Sequence, residues 1–553
     1  MLGQVFLLAY FALFLLLPLY TVVQGGVRWA YVREVCRNPI YVEGLLNSLL
    51  IGVTVTALVF CIAVPLAVLA DRYRFAGKGL VHGLVLLPMI LPPFVGALGF
   101  IQIFGRLGAL NSLLTALGLV EYGQGPDWLA GDGRFAIVCL IEALHLYPIL
   151  YLNTVTALAN IDPALHEAAE NLGCTGLRRF WRVTLPLVRP GVFAGGTIVF
   201  IWAFTELGTP LMLGFHRAAP VQVFNGITEL GSNPLPYTLV FILLAVAGGL
   251  YLLSHWLFGA REMTVLSKGT VASHERPLRG WRSAAALGAF LAVSCCAVLP
   301  HVGVLLLSVA HDWYGTVLPA GYTGRFYEEA LSHPYVVPSI VNSLNYSLLA
   351  TLLCVVVGLL VALNSERWRP PGHRVFDLLA MLPLAIPGII MAFGYLSMAT
   401  RYEPLRRVMD PIRDPTLLLV IAFAMRRLPY VVRAAAAGLQ QTPVDLEQAA
   451  ANLGAGWWRT LRRITVPLIA ANLVAGALFA FSFSMLEVSD SLILAQKSQF
   501  YPITRALYEL AQLLGSGPYV ACAFGVWAMC FLAATLLAAA WLLGRRMGAL
   551  FRL

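Results

Sequence analysis

Glu142, His145, Glu206, Arg426, Arg427, Glu487 and Asp490 all fall within long apolar runs of this sequence. An ionisable group in such a run is costly and marks a binding or transport path by default. Glu142 and His145 are three residues apart, as are Glu487 and Asp490, so on a helix each pair shares a face. The competing assignment is structural ion pairing, for example Arg426 or Arg427 with Glu487. No C-x-x-C, H-E-x-x-H, G-x-S-x-G or G-x-x-x-x-G-K-[ST] occurs. We therefore expect no catalytic residues, no metal site and no bound cofactor. The seven residues stand as candidates for lining or gating a pathway.

The elements that carry them are set by composition. The chain has 553 residues, of which 59% are hydrophobic and 12% charged, with a mean hydropathy of +0.79. A soluble chain carries about 25% charged residues. Apolar segments fall at roughly 4–23, 45–70, 80–104, 134–158, 190–213, 237–258, 283–310, 338–363, 376–399, 416–438, 470–495 and 519–543. Several reach the ~20 residues that cross a bilayer as a helix. They are too long and too uniformly apolar for barrel strands. The expected class is an all-α polytopic membrane protein of about 12 transmembrane helices. The stretch "MLGQVFLLAYFALFLLLPLYTVV" has no basic start and no small-residue cleavage site, so it reads as a retained first helix. The nine cysteines read as small buried hydrophobes rather than a disulfide framework.

The net charge of +10 has a membrane explanation that makes nucleic acid an unneeded partner. With both termini placed in the cytoplasm, the cytoplasmic segments hold 21 Lys and Arg and the outer loops 12. That is the bias of the positive-inside rule.

The chain repeats itself. Asn47 matches Asn342 and Ser48 matches Ser343, and the same offset pairs Pro88 with Pro383, Pro92 with Pro387 and Gly99 with Gly394. A shorter offset then pairs Pro148 with Pro429, Gly173 with Gly454, Pro186 with Pro467, Glu206 with Glu487 and His145 with Arg426. The extra length of the first copy falls in the outer loop 105–133. The organisation expected is a six-helix domain over 1–260, a basic cytoplasmic linker over 261–282 and a second six-helix domain over 283–553. Six is even, so the repeats enter the membrane in the same sense. Pro88, Pro92, Pro383 and Pro387 are expected to kink the third helix of each half.

The most polar part of the repeat is "EAAENLGCTG" (167–176) and its echo "QAAANLGAG" (448–456). The first copy starts with Asp162 and Pro163, an N-cap and a first-turn proline. The second starts with Thr442 and Pro443, and Asp445 completes a T-x-x-D capping pattern. Gly173 and Gly454 are expected to end each helix in the left-handed conformation. A basic amphipathic segment follows, stopped by Pro186 or Pro467. A small, smooth helix face in the cytoplasm suits docking onto another protein, whereas an ordinary interfacial helix would suffice for a single copy.

E-A-A-x-x-L-G followed by a basic stretch and L-P resembles the signature of ABC importer permeases, across both halves. The resemblance implies the type I permease fold. It also implies that loops 161–190 and 441–469 are coupling helices that dock onto nucleotide-binding subunits. Carried over, Glu167, Ala168, Ala169, Gly173 and Pro186 match the first copy, and Ala449, Ala450, Gly454 and Pro467 the second. Gln448 stands at the Glu position of the second copy, with Glu447 one residue earlier, so the two contacts should be unequal. The resemblance further implies an ATPase partner in two copies that uses ATP and Mg, an extracytoplasmic solute-binding protein, and a place in the bacterial inner membrane. Residues 426–441, "RRLPYVVRAAAAGLQQ", and "ELGTPLML" look most like the iron(III) branch; thiamine, polyamine, sulfate or molybdate, and phosphonate branches are the alternatives. A twelve-helix secondary transporter is the rival class, and it has no need of two capped cytoplasmic loops.

Overall fold

The computed structural model describes residues 2–90, 93–229, 233–258 and 275–543, which are predominantly helical. Among the described residues, ten helices are long and apolar enough to cross a membrane: Gly3–Gly26, Pro39–Arg72, Pro93–Ala116, Asp132–Ala159, Phe180–Met212, Leu235–Ser254, Trp281–Val309, Val336–Trp368, Trp457–Met485 and Gly517–Ala538. A helix satisfies its own backbone in lipid, which is why apolar runs of this length take no other form there. A bent pair would make an eleventh span, and Thr416–Gln441, expected as a further one, is not apolar enough to count among them. His373–Ala385 and Gly388–Arg401 are bent by 108° at a short break. Thr416–Gln441 has 26 residues, with Arg426, Arg427 and Arg433 among its apolar positions.

Proline chemistry explains that break. Pro387 has no N–H to donate and clashes with a helical residue before it. Ile386 accordingly adopts φ −93° and ψ 123°, and the chain restarts as a helix at Gly388. A side chain at Gly388 would overlap the guanidinium of Arg426. Pro88 lies near the end of Lys78–Ile90, and Pro92, expected to kink the same segment, lies outside the described residues. Most of the 261–282 linker is likewise outside them, but residues 275–280 are described and the next helix begins at Trp281.

The chain divides into two compact units. One comprises Met1–Arg37, Val223–Leu244 and Arg325–Arg552; the other comprises Asn38–Gln222 and Ala245–Gly324. Each unit therefore contains the opening helix of the other repeat. In the first, the N-terminal helix packs along Gly388–Arg401. The Tyr395 hydroxyl donates to the Phe14 carbonyl at 2.6 Å, and a Cβ on Gly394 would stand 2.9 Å from the Pro18 carbonyl oxygen. In the second, Trp281–Val309 packs along Pro93–Phe104, and a Cβ on Gly99 would run into the backbone of Pro300. Gly99 and Gly394 are the pair already matched in the repeat. Small residues let helix backbones close up in lipid, where no hydrophobic force drives helices together.

Burial separates lipid-facing from interior helices. In Asp132–Ala159, 72% of the apolar window is buried, against 28% in Leu235–Ser254. The most enclosed of the ten thus carries Glu142 and His145. In the other unit, Ala362, Leu363, Ala435, Leu439, Leu461, Ile469 and Leu473 form a buried cluster. It seats the base of the second capped loop.

Candidate functional site

The first capped loop begins at Asp162, whose Oδ1 accepts from the Ala164 N–H at 2.9 Å. The helix Pro163–Asn171 follows. It closes with Gly173 at φ +74°, where the Gly173 N–H donates to Glu170 O at 2.9 Å and the Cys174 N–H to Ala169 O at 2.8 Å. These are the two bonds of a Schellman ending. The second loop repeats it: Gly454 has φ +80°, its N–H donates to Ala451 O at 2.9 Å, and the Ala455 N–H donates to Ala450 O at 2.9 Å. Glu167, Ala168, Gln448 and Ala449 are exposed, while Ala169 and Ala450 are buried beneath them. Each loop thus presents one face outward and rests the other on the protein.

Two local expectations are corrected. Thr442 does not cap the second helix, which runs Asp445–Asn452 without a side-chain cap. The Thr442 hydroxyl instead donates back to Gly438 O at 3.0 Å, closing the preceding helix. Nor do Pro186 and Pro467 stop a second short helix. In each copy the helix continues through a wide π turn, Phe180–Thr184 or Leu461–Thr465, into the next span. The turn closes from Leu185 N–H to Phe180 O and from Val466 N–H to Leu461 O. Each proline falls in the first turn after it, among backbone groups the wider turn has already displaced.

The loops are braced differently. Arg367 donates from Nε to Glu447 Oε1 at 3.1 Å, and from Nη2 to Leu439 O and Thr442 O at 2.9 Å each. Thr465 adds a hydroxyl to the same Glu447 oxygen at 3.0 Å. Glu447, next to the departure at Gln448, therefore points inward as an anchor. In the first copy the residue equivalent to Glu447 is His166, and Arg72, equivalent to Arg367, donates to the Thr184 hydroxyl at 2.5 Å. There the carboxylate used is Glu170, paired with Arg179 and Arg276. The Arg276 hydrogen bond, with the two arginine charges, holds the Glu170 carboxyl below its ordinary range.

Sequence reasoning passed over two exposed leucines. Leu172 is 86% exposed and Leu453 is 88% exposed, each immediately before its turn glycine. Their signal was present in the repeat, since both copies read N-L-G. Arg72 and Arg367 were also missed as braces, because their partners are distant in sequence.

The charges inside the apolar runs fall into two groups, one in each compact unit. Glu142, 2% exposed, lies beside Glu206 and the Thr209 hydroxyl. Glu206 Oε1 accepts from the Gly208 N–H at 3.0 Å, and His145 Nδ1 lies 2.8 Å from Pro88 O. In the other unit, Arg426 Nη1 is 2.9 Å from Glu487 Oε1, Arg427 pairs with Glu487 Oε2, and Asp490 Oδ2 is 4.0 Å from Arg426 Nη1. Arg427 also donates to Phe483 O at 3.1 Å and lies over the Phe483 ring. Glu142 and His145 share a helix as expected. Glu487 and Asp490 do not: the helix ends at Met485, and Asp490 belongs to the short helix Ser489–Leu494. Glu206 sits at the corresponding break, between Phe204 and Gly208.

Comparison with known proteins supplies the family. Residues 63–262 and 354–540 each match the model of the binding-protein-dependent transport system inner membrane component family. The chain is 26% identical over 475 residues to a ferric transport system permease protein of Actinobacillus pleuropneumoniae, covering 83% of this chain and 64% of that one. An Fe(3+)-transport system permease protein of Haemophilus influenzae is 22% identical, with 88% of each chain covered. The thiamine transport system permease protein of Escherichia coli is 24% identical over 76% of this chain and 75% of its own. The two family matches take in both capped loops and most of both sets of spans, and this chain belongs to the binding-protein-dependent transport system inner membrane component family.

Proposed function

We infer that this chain is the permease subunit of an ATP-driven importer, multi-pass in the bacterial inner membrane with both termini cytoplasmic. The observation that carries this is the duplicated loop: two capped helices, each ended by a left-handed glycine and each presenting an exposed leucine. An importer needs one docking helix for each of two ATPase subunits. Those subunits hydrolyse ATP with Mg; this chain forms the pathway and is not itself the enzyme. A solute-binding protein delivers cargo to the outer face. Iron(III) is the favoured substrate, because ferric permeases cover most of this chain; the thiamine permease is the runner-up among the relatives.

In this reading Glu167, Ala168, Ala169, Gly173 and Pro186 form one ATPase contact, and Glu447, Gln448, Ala449, Ala450, Gly454 and Pro467 the other. Among the buried charges, Arg426, Arg427 and Glu487 satisfy one another and serve as a brace. Glu142, His145, Glu206 and Asp490 remain the candidates for the pathway. The test is reconstitution with the ATPase and binding protein. Import of the binding protein's ligand should require ATP and stop with Gly173→Pro plus Gly454→Pro. Import that persists without any ATPase would refute the reading.

A further inference from the structure

The end of the inter-repeat linker is built into the unit of Asn38–Gln222 and Ala245–Gly324 by contacts that begin with its backbone. Arg276 and Pro277 pair in parallel with Tyr73 and Arg74. The Leu278 N–H donates to Arg74 O at 2.8 Å, the Ala76 N–H donates to Ser283 Oγ at 3.2 Å, and Lys78 Nζ binds Glu275 Oε1 at 3.0 Å. This fixes the Arg276 side chain on the cytoplasmic edge of the unit. From there it donates to both oxygens of Glu170, at 2.8 Å and 2.6 Å. Glu170 belongs to the helix that carries Glu167 and Ala168, one turn from its exposed face.

We propose that Arg276 is a positioning residue for the first coupling helix, so that the linker is part of the coupling machinery and more than a tether. The inference rests on the importer reading above. The second loop needs no such arm, because Arg367 and Glu447 brace it from within its own repeat. The first loop has His166 in place of that acid, and Ala451 stands in the second where Glu170 stands in the first. The Arg276 side chain is 64% exposed, and an exposed ion pair adds little to folding stability. Arg276 Nη2 alone spans both Glu170 oxygens, a charge-assisted contact that ties the helix to the linker at one point. Its effect therefore belongs to docking geometry and to the stoichiometry of transport, not to whether the chain folds.

A double-mutant cycle on the reconstituted transporter, with its ATPase and binding protein, tests this by reading solute imported per ATP hydrolysed. Arg276→Ala and Glu170→Ala should each lower that ratio roughly fivefold, the low end for a coupling between sites. The double variant should fall no further than the worse single, as two members of one contact require. Arg276→Lys should recover only part of the loss, since the ammonium keeps the charge on a shorter, more strongly hydrated side chain. A wild-type ratio in Arg276→Ala, or losses that multiply in the double variant, would overturn the proposal. The importer reading is read out separately, by co-purification of the ATPase with the wild-type chain and by the Gly173→Pro, Gly454→Pro variant.

Discussion

Arg367 and Glu447 meet at 3.1 Å at the root of the second capped loop, one residue away from the position where the first copy keeps its outward-facing Glu167. In the second copy the acid is the anchor, and Gln448 takes the exposed position. Only 9% of the Arg367 side chain is exposed, and it serves two carbonyls as well as the carboxylate. Arg367→Ala should therefore destabilise the protein by about 1–3 kcal/mol, the cost of leaving buried acceptors unpaired. Thermal unfolding of the purified complex checks this, and Arg72→Ala, which loses a single hydroxyl contact, should cost less.

The exposed leucines give a prediction of the opposite kind. Leu172 and Leu453 touch little of their own protein, so Leu172→Asp and Leu453→Asp should shift stability by no more than about 0.5 kcal/mol. Both should nonetheless weaken retention of the ATPase subunit on affinity purification. An unchanged yield of ATPase with the double variant would remove these side chains from the interface.

Close helix approach makes the repeat glycines intolerant of a single methyl group. At Gly99 the added carbon would meet the fixed backbone of Pro300, and no side chain can swing away. Gly99→Ala should cost about 1–3 kcal/mol as an overpacking penalty. Gly394→Ala, facing Pro18 at 2.9 Å, should change stability in the same direction by less. Melting temperatures of the two variants side by side decide the order.

Glu487 and Asp490 should respond differently, since Glu487 is the closer partner of the arginines. Glu487→Gln leaves Arg426 and Arg427 without their shared carboxylate and should destabilise by about 3–5 kcal/mol. Neither oxygen of Asp490 accepts a hydrogen bond, so Asp490→Asn should be neutral or stabilising. A transport defect in Asp490→Asn with unchanged stability would place that residue in the pathway; wild-type transport would assign it to the packing around Arg426.

What the sequence displayed and what it hid follow from the range of each interaction. Most spans and the glycine turns depend on neighbours within a few residues and were legible, whereas the expected segment 80–104 is two helices, Lys78–Ile90 and Pro93–Phe104. The Thr442 cap failed because the preceding helix runs to Gln441, and Thr442 turns its hydroxyl back to donate to Gly438 O rather than accept from the next helix. The two prolines were misread because a proline signals a break only when the preceding turn is α; a π turn absorbs it. The pairing of Arg426 and Arg427 with Glu487, named from the sequence as the structural alternative, is the one the structure shows. The packing of the N-terminal helix on Gly388–Arg401 was not legible at all. In lipid a protein-facing stripe is marked by small residues, which do not say which helix packs there.

That last arrangement has a consequence for synthesis. The Phe14 carbonyl and the Tyr395 hydroxyl that caps it are 381 residues apart. At ~5–20 residues per second, the ribosome takes on the order of 20–75 s to deliver the second after the first. Throughout that interval the opening helix waits in the bilayer with its Pro18 face unclaimed, exposed to any neighbouring span. A single reading frame keeps both halves within reach of each other until the exchange is complete.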